Sequence, residues 1–343
     1  MQSLLFAQKL LKNSYFVALY TTIKRKIGRL QTYFRGNGMQ VLLAQPRGFC
    51  AGVNRAIAIV EKALDVYGAP IYVRHEIVHN KTVVNELKQK GAVFVDHLSE
   101  VPDGATAILS AHGVPQKVKD YAATRPIRIF DATCPLVMKV HREVVKMHNE
   151  GLTVIVIGHK GHAEVEGTMG EVQGNIYRVC SDEEVDALTV PDPEKVGYVT
   201  QTTLSMDETK EVIARLKAKF PKIRSLSAAD ICYATQSRQE AVKKLAALVD
   251  LVLVIGSSSS SNSRRLRDKA QKEGVKAFLI DSVEDIEPSW FDGVEIVGLT
   301  AGASAPEHLV QGVVDYLKTN GATSVETMPG VPDRIAFPLP TGL

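Results

Sequence analysis

Short apolar runs alternate with amphipathic stretches from residue 39 almost to the C-terminus. Ten such runs predict β-strands, over residues 41–44, 71–73, 92–95, 107–109, 127–130, 153–157, 197–199, 251–255, 277–280 and 296–299. Strands that alternate with helical patterns are typical of α/β units with parallel sheets. We therefore expect an α/β fold with small, mostly parallel sheets.

Three of the four cysteines occupy the same local setting. Cys50, Cys134 and Cys232 each follow an apolar run and precede a helical pattern. The helical patterns carry core-facing stripes of apolar residues, which are Val53, Ile57, Val60 and Leu64, then Val137, Val140, Val144 and Met147, then Val242, Leu245 and Val249. Pro135 suits the first position of a helix and so places Cys134 at the cap.

This repeated setting has a chemical consequence. A helix N-terminus favours a thiolate over a thiol, and thiolates are ligands for soft metals. Three thiolates from three similar units predict one iron or zinc centre with an open coordination position. The cysteine spacings of 84 and 98 residues divide the chain into units of similar size. We expect a basic extension over 1–38 outside the fold, α/β domains over 39–133, 134–231 and 232–320, and a tail over 321–343 that packs back on the body.

Polar loops follow several of the predicted strands, over residues 110–113, 158–162, 200–203, 256–262 and 300–304. In open α/β sheets, ligands bind beyond the carboxyl ends of the strands. The loops are rich in His, Ser, Thr and Asn, which suit a phosphate or diphosphate. A flexible linker is the alternative for the serine run 257–261, but a strand before it and a helix after it favour an anion site. The chain has no Walker loop, and no Gly-x-Gly-x-x-Gly follows its first strand, so no directly bound nucleotide is expected.

Individual residues in these loops are candidates for acid–base and anion-binding roles. Histidines recur near the strand ends at His75, His79, His112 and His162. A lone histidine is most often structural, but Gly-rich turns make His112 and His162 stronger candidates. Glu164 is either a proton donor in a carboxylate-poor pocket or a solvated loop acid. Cys180 lies at a predicted strand end without a following helix, and we expect it to be structural.

Charge is distributed unevenly over the 343 residues. Residues 1–38 contain seven Lys and Arg and no acid, which leaves 34 basic against 38 acidic residues in the remainder. That balance argues against a nucleic-acid-binding body. The leading segment is either an extension before a second start at Met39, or a membrane-surface or targeting segment. No apolar run is long enough to span a membrane, so no stable membrane insertion is expected, and thiolate ligands indicate a cytoplasmic, reducing compartment.

Eight ordered motifs resemble one known family. They are residues 46–53 (PRGFCAGV), 75–80 (HEIVHN), 110–114 (SAHGV), 131–135 (DATCP), 161–168 (GHAEVEGT), 200–205 (TQTTLS), 260–263 (SSNS) and 300–306 (TAGASAP). The chain resembles the LytB/IspH family of 4-hydroxy-3-methylbut-2-enyl diphosphate reductases from Met39 almost to its end. Residues 1–38 are the departure, since bacterial members usually begin near Met39.

The resemblance implies a cloverleaf of three pseudo-symmetric α/β domains around one [4Fe–4S] cluster per chain. Cys50, Cys134 and Cys232 match its three thiolate ligands, and Glu164 and Thr202 match the residues that supply protons to the substrate's hydroxyl group. The residues that match the substrate contacts are His79, His112, His162, Thr203, Ser260, Ser261, Asn262 and Ser304.

The implied reaction removes the allylic hydroxyl of the diphosphate substrate with two electrons and two protons. It gives isopentenyl and dimethylallyl diphosphate, the last step of the non-mevalonate isoprenoid pathway. Ferredoxin or flavodoxin would be the electron donor, reduced in turn by NADPH. The alternatives are another three-cysteine [4Fe–4S] enzyme of quinolinate synthase type, a non-catalytic iron–sulfur redox sensor, and a zinc site in place of iron.

Overall fold

The computed structural model describes residues 38–225 and 231–343. The expectation for the basic segment therefore lies outside the described residues, except for Gly38. Within the described ranges, no helix is long and apolar enough to cross a membrane.

The order of elements follows the alternation seen in the sequence. The strands are β1 (Met39–Leu43), β2 (Ile71–Arg74), β3 (Ala92–Val95), β4 (Thr106–Leu109), β5 (Arg128–Asp131), β6 (Thr153–Ile157), β7 (Ile176–Val179), β8 (Val196–Thr200), β9 (Arg224–Ser225), β10 (Leu251–Ile255), β11 (Lys276–Ile280), β12 (Ile296–Ala301) and β13 (Ala322–Thr327). The α-helices are α1 (Ala51–Tyr67), α2 (Lys81–Gln89), α3 (Gln116–Ala123), α4 (Pro135–Asn149), α5 (Ala163–Met169), α6 (Asp182–Ala187), α7 (Met206–Lys219), α8 (Tyr233–Ala246), α9 (Ser261–Lys272) and α10 (Glu307–Thr319). Short 3₁₀ turns cover Leu98–Glu100, Val283–Asp285 and Pro288–Phe291.

The strands form three parallel sheets with one repeated strand order. The first sheet is β3-β2-β4-β5, the second is β7-β6-β8-β9, and the third is β11-β10-β12-β1 with β13 added at its edge. This confirms the predicted α/β class with small parallel sheets. All ten predicted strands are present, while β7, β9 and β13 were not among them.

The first strand does not pair with its neighbours in sequence. β1 lies between β12 and β13 of the third sheet, with Gln40 opposite Ile296. The expected domain over 39–133 had placed this strand with residues 71–131, and its pairing differs because cysteine spacing does not show which strands are neighbours. The domain boundaries themselves stay a prediction.

Each of the three similar cysteines lies where the chain passes from one sheet to the next. Cys50 follows β1 of the third sheet, and α1 after it packs on the first sheet through Ile59 and Val60. Cys134 follows β5, and α4 packs on the second sheet through Val144. Cys232 comes after β9, and α8 packs on the third sheet through Leu245. These crossings bring all three cysteines to the middle of the molecule.

The predicted core stripes differ in accuracy between the helices. Val137, Val140, Val144 and Met147 are all buried in α4 as expected. In α1, the buried residues are centred on Ala56, Ile59, Val60 and Ala63, whereas Val53, Ile57 and Leu64 are only partly buried. The stripe was displaced because Ala56 and Ala63, which the apolar pattern passed over, face the first sheet together with Ile59 and Val60.

Candidate active site

One cavity collects every residue that the family resemblance implies for cluster, substrate or proton chemistry. The residues of this central cavity that were so predicted are Cys50, His79, His112, Cys134, His162, Glu164, Thr202, Thr203, Cys232, Ser260, Ser261, Asn262 and Ser304. Apolar side chains such as Val53, Val78, Leu136 and Val137 complete its lining. Their roles are not fixed by this placement, but their convergence is a property of the fold.

The three cysteines share one backbone arrangement. Each is the residue directly before an α-helix, and each donates its backbone N–H to a carbonyl in a loop from another strand. The acceptors are Ala303 for Cys50 at 3.1 Å, Ala111 for Cys134 at 3.0 Å and Thr202 for Cys232 at 3.1 Å. These acceptors follow β12, β4 and β8, which hold the same position in their sheets. We call the three cysteines the thiol centre.

Burial dominates the electrostatics of the thiol centre. It raises the pKa of Cys134 to about 11 and that of Cys232 to about 12, and the nearby thiols add to the increase. Backbone N–H groups at the helix starts lower these pKa values only in part. At Cys134 and Cys232, burial therefore outweighs the expected effect of the helix N-terminus, and a bound cation is what would favour the thiolate form.

The space around the thiol centre suits a group held by sulfur. A Cβ atom at Gly52 would lie 2.6 Å from Cys134 Sγ and 3.9 Å from Cys50 Sγ, so this glycine keeps open the space between two thiols. Within residues 38–225 and 231–343, no three His, Cys, Asp or Glu side chains form a group that could hold a metal ion. Thiolates of an iron–sulfur cluster each bind a different iron atom and need not reach a common point.

Glu164 is a buried carboxyl group and not a solvated loop acid. Its side chain is 3% exposed at the start of α5. Oε1 accepts the backbone N–H of Thr202 at 2.6 Å, and Oε2 accepts the Thr202 hydroxyl at 3.0 Å. Burial raises the pKa of Glu164 to about 7, although both Thr202 bonds oppose the increase. The carboxyl group can therefore hold or release a proton near neutral pH.

Three imidazoles form a cluster beside the thiol centre. His79 and His112 stack with ring centroids 4.0 Å apart, and His162 lies 5.4 Å from His79 and 6.1 Å from His112. Burial, reinforced by the neighbouring imidazoles, lowers the pKa of His112 well below its usual value and that of His162 to about 3. These two rings are neutral in the absence of an anion.

Hydrogen bonds assign the proton positions on two of these rings. His162 Nδ1 accepts the backbone N–H of Glu164 at 3.2 Å, which leaves Nε2 as the protonated nitrogen of the neutral ring. His79 Nδ1 lies 3.1 Å from a carboxylate oxygen of Glu76 and donates to it. Nδ1 of His112 is buried without a hydrogen-bond partner. The fourth candidate, His75, is 42% exposed, pairs with Asp96 and lies outside the central cavity.

Hydroxyl and amide groups of three loops form a further wall of the central cavity, the hydroxyl wall. Ser260 caps α9 by accepting the Ser263 N–H, and Ser261 donates to the carbonyl of Thr203. Ser304 donates to the carbonyl of His79 at 3.0 Å. Both amide atoms of Asn262 are buried without a hydrogen-bond partner. Unmet donors at the start of a helix are suited to an anionic ligand.

Cys180 lies apart from the central cavity. Its Sγ is 3.1 Å from Nδ1 of His159, and burial raises its pKa. It is absent from the residues that line the central cavity. The expectation that no helix follows Cys180 was wrong, because Ser181 caps a helix, α6, that begins at Asp182. A structural role stays the prediction for this residue.

Fold and cavity together define an α/β protein with a small-molecule site where three parallel sheets meet. The LytB protein family model matches residues 41–318. The chain belongs to that family.

Named relatives and solved structures agree with this assignment. The chain is 59% identical over 304 residues to 4-hydroxy-3-methylbut-2-enyl diphosphate reductase 2 of Burkholderia mallei, covering 89% of this chain and 93% of the relative. The structure of E-1-hydroxy-2-methyl-but-2-enyl-4-diphosphate reductase from Plasmodium falciparum superposes with a TM-score of 0.85 at 40% identity, covering 89% of this chain and 96% of that one. A second structure is that of (E)-4-hydroxy-3-methyl-but-2-enyl diphosphate reductase, which is described as the terminal enzyme of the non-mevalonate pathway. It superposes with a TM-score of 0.60 at 33% identity, covering 82% of this chain and 99% of that one.

Proposed function

We propose that the chain is a 4-hydroxy-3-methylbut-2-enyl diphosphate reductase. The observation that carries this proposal is the placement of three thiols, the Glu164–Thr202 pair and an imidazole–hydroxyl wall around one cavity. The reaction consumes two electrons and two protons, breaks the allylic C–O bond, and releases water with isopentenyl or dimethylallyl diphosphate.

Cys50, Cys134 and Cys232 would hold one [4Fe–4S] cluster. The soft donor set and the space that Gly52 leaves beside Cys134 support this assignment. When bound, the cluster supplies single electrons and an iron with an open coordination position that polarises the C–O bond.

The imidazoles and the hydroxyl wall would bind the diphosphate. His162 offers Nε2–H as a donor, and Asn262 and the start of α9 offer further donors that are otherwise unmet. His79 already donates Nδ1–H to Glu76, so it can donate to a phosphate only when Nε2 is protonated as well. The other predicted contacts are His112, Thr203, Ser260, Ser261 and Ser304.

Glu164 and Thr202 would deliver the proton to the leaving hydroxyl group. Thr202 Oγ1 bonds to Glu164 Oε2, so a proton on the carboxyl group reaches the substrate through the threonine hydroxyl or directly. The carboxyl pKa of about 7 allows it to be protonated before the step and ionised after it.

Electrons would come from ferredoxin or flavodoxin, with NADPH as the indirect source. The described cysteines are all free thiols, which agrees with a reaction in the reducing cytoplasm.

Anaerobic purification followed by an absorption spectrum, an iron count and turnover with reduced methyl viologen tests the proposal. We expect a brown protein with four irons per chain that converts the allylic diphosphate. A colourless zinc protein, a cluster that turns over only a dicarboxylate, or a cluster without turnover would each overturn it in favour of the zinc, quinolinate synthase-type or sensor alternative.

A further inference from the structure

The last residues of the chain contact two arginines, Arg238 and Arg55, that donate to carbonyls just before Cys50 and Cys134. We propose that residues 328–343, the C-terminal strap, act with Arg238 and Arg55 to position Cys50 and Cys134. This inference rests on the proposed cluster, but the strap lies beyond the matched residues 41–318 of the family model.

Arg238 connects the strap to the segment before Cys50. Its side chain is fully buried in α8 and donates from Nε and Nη2 to the carbonyl of Gly48, at 3.1 and 2.7 Å. Nη2 also donates to the carbonyl of Phe49 at 3.2 Å. Oδ2 of Asp333 in the strap lies 2.8 Å from Nη1 and balances its charge as an ion pair, without hydrogen-bond geometry. A buried guanidinium without that partner would be strongly unfavourable. The hydrogen bonds from Arg238 to the carbonyls of Gly48 and Phe49 therefore depend on the strap.

Arg55 makes the corresponding connection to Cys134. It lies on α1, donates from Nη1 to the carbonyl of Thr133 at 3.2 Å, and donates from Nε to the carbonyl of Pro338 at 2.8 Å. Thr133 directly precedes Cys134. A second arginine thus joins the strap to the peptide before a cysteine of the thiol centre.

The strap is anchored at both ends. Met328 is buried in the core of the third sheet and donates its backbone N–H to the carbonyl of Leu43 at 2.9 Å. Leu343 packs against the core of the first sheet, and the Tyr67 hydroxyl donates to the carbonyl of Gly342. The strap therefore spans from the third sheet to the first, across the crossing that contains Cys50.

Cys232 provides an internal comparison. The carbonyl before it, on Ile231, accepts Gln236 Nε2 at 2.9 Å from within α8. Each cysteine of the thiol centre thus follows a carbonyl that a side chain holds, but only Cys50 and Cys134 depend on the strap. Groups that orient metal ligands in this way typically change metal affinity or activity by about 10- to 100-fold when they are replaced.

Arg125 offers a matched control away from the site. It also donates to two backbone carbonyls, of Leu98 and Val101, and pairs with an aspartate, Asp103. The test variants are Arg238→Gln, the milder Arg238→Lys, Arg55→Gln and Asp333→Asn, with Arg125→Gln as the control. All are full-length proteins, measured as holoenzyme in the first two readouts and as metal-free protein in the third.

The first readout is the rate at which a chelator removes iron from the cluster. We expect about tenfold faster loss in the Arg238, Arg55 and Asp333 variants and the wild-type rate in Arg125→Gln. The second is the reduction potential, which Arg238→Gln should lower by removing a positive charge and Asp333→Asn should raise by removing a negative one. A role limited to stability would not give shifts of opposite sign. Wild-type rates and potentials in the test variants, or equally fast iron loss in Arg125→Gln, would overturn the inference.

A third readout separates this inference from the proposed function. In metal-free protein, Arg238→Gln should increase the alkylation rate of Cys50 severalfold and leave Cys232 unchanged, as judged by peptide mass spectrometry. A wild-type protein that binds no iron contradicts the proposed function, and the alkylation result still decides the role of the strap. Equal changes at Cys50 and Cys232 would overturn it.

Discussion

Both oxygens of the Glu164 carboxyl group bond to a single residue, Thr202. The backbone N–H holds one oxygen at 2.6 Å and the hydroxyl holds the other at 3.0 Å. The carboxyl group is thereby fixed in orientation while burial keeps its pKa near 7. Thr202 also accepts the backbone N–H of Cys232, so one residue connects the acid to the thiol centre.

Glu164→Gln should reduce turnover by about 100-fold or more, the usual scale for loss of a general acid. The amide keeps the size of the side chain but cannot supply a proton. Iron content and substrate dissociation constant should stay at wild-type values. Glu183→Gln, an exposed acid on α6, is the control for a charge change alone. Near-normal turnover in Glu164→Gln would remove this residue from the mechanism.

Turnover should fall as the pH rises through about 7. In the proposed mechanism the acid form of Glu164 donates the proton. Burial raises its pKa to about 7, so this form is present below that pH and lost above it. The raised pKa of Glu164 also affects the stability of the metal-free protein. Its free energy of unfolding should decrease by about 3 kcal/mol in total as the pH rises from about 4.5 through 7. Rate profiles and thermal melts of wild type and Glu164→Gln measure both effects. A rate that increases above pH 7 would contradict the assignment.

Serine at any of the three positions of the thiol centre should abolish the brown chromophore and activity together. Serine preserves size but removes the soft sulfur ligand. Cys180→Ser is the matched control and should retain iron, because Cys180 lies outside the central cavity. Iron counts and absorption spectra of the four anaerobic proteins are the measurement. Full chromophore in Cys50→Ser would show that Cys50 is not a ligand.

Two helical glycines should respond oppositely to alanine. Gly52→Ala places a methyl group 2.6 Å from Cys134 Sγ and should prevent cluster binding while the chain still folds. Gly312→Ala on α10 meets no atom nearer than 4.0 Å and should stabilise the protein by up to about 1 kcal/mol. Iron content and unfolding midpoints are measured for both. Iron at the wild-type level in Gly52→Ala would contradict the site geometry.

Ser260→Ala should weaken substrate binding and also lower stability by about 1 kcal/mol, because Ser260 caps α9. Ser181→Ala removes an equivalent cap from α6 and should match the stability loss without changing affinity. Calorimetric dissociation constants for the diphosphate separate the two effects. An unchanged constant in Ser260→Ala would argue against a diphosphate contact at that residue.

Local pattern was sufficient for much of the fold. The runs at residues 153–157 and 251–255 became β6 and β10 with the predicted bounds, because short runs rich in Val, Ile and Leu are typical of buried parallel strands. β13 was missed because its sequence, ATSVET, is largely polar on an edge strand. β9 was missed because two residues are too few to show an alternation of apolar and polar positions.

The local sequence pattern predicted neither which strands are neighbours in a sheet nor which side chains hold the backbone before the cysteines. The position of β1 beside β12 depends on contacts between distant parts of the chain. Arg238 was also missed as a supporting residue, although one signal was present. It follows Ala234 by four residues and precedes Val242 by four, on the face of α8 that becomes buried. A charged residue in that stripe is a candidate for a specific internal partner.

The location of β1 implies that the chain must be synthesised through β12 and β13 before the segment that leads into Cys50 is fully positioned. The strand that leads into Cys50 has its neighbours only in β12 and β13, at the far end of the translated chain. A nascent polypeptide that has emerged as far as residue 250 therefore already contains all three cysteines of the thiol centre but lacks the neighbouring strands that position the segment before Cys50. We expect iron–sulfur insertion to follow completion of synthesis, and a ribosome-stalled fragment ending before residue 296 to acquire no cluster.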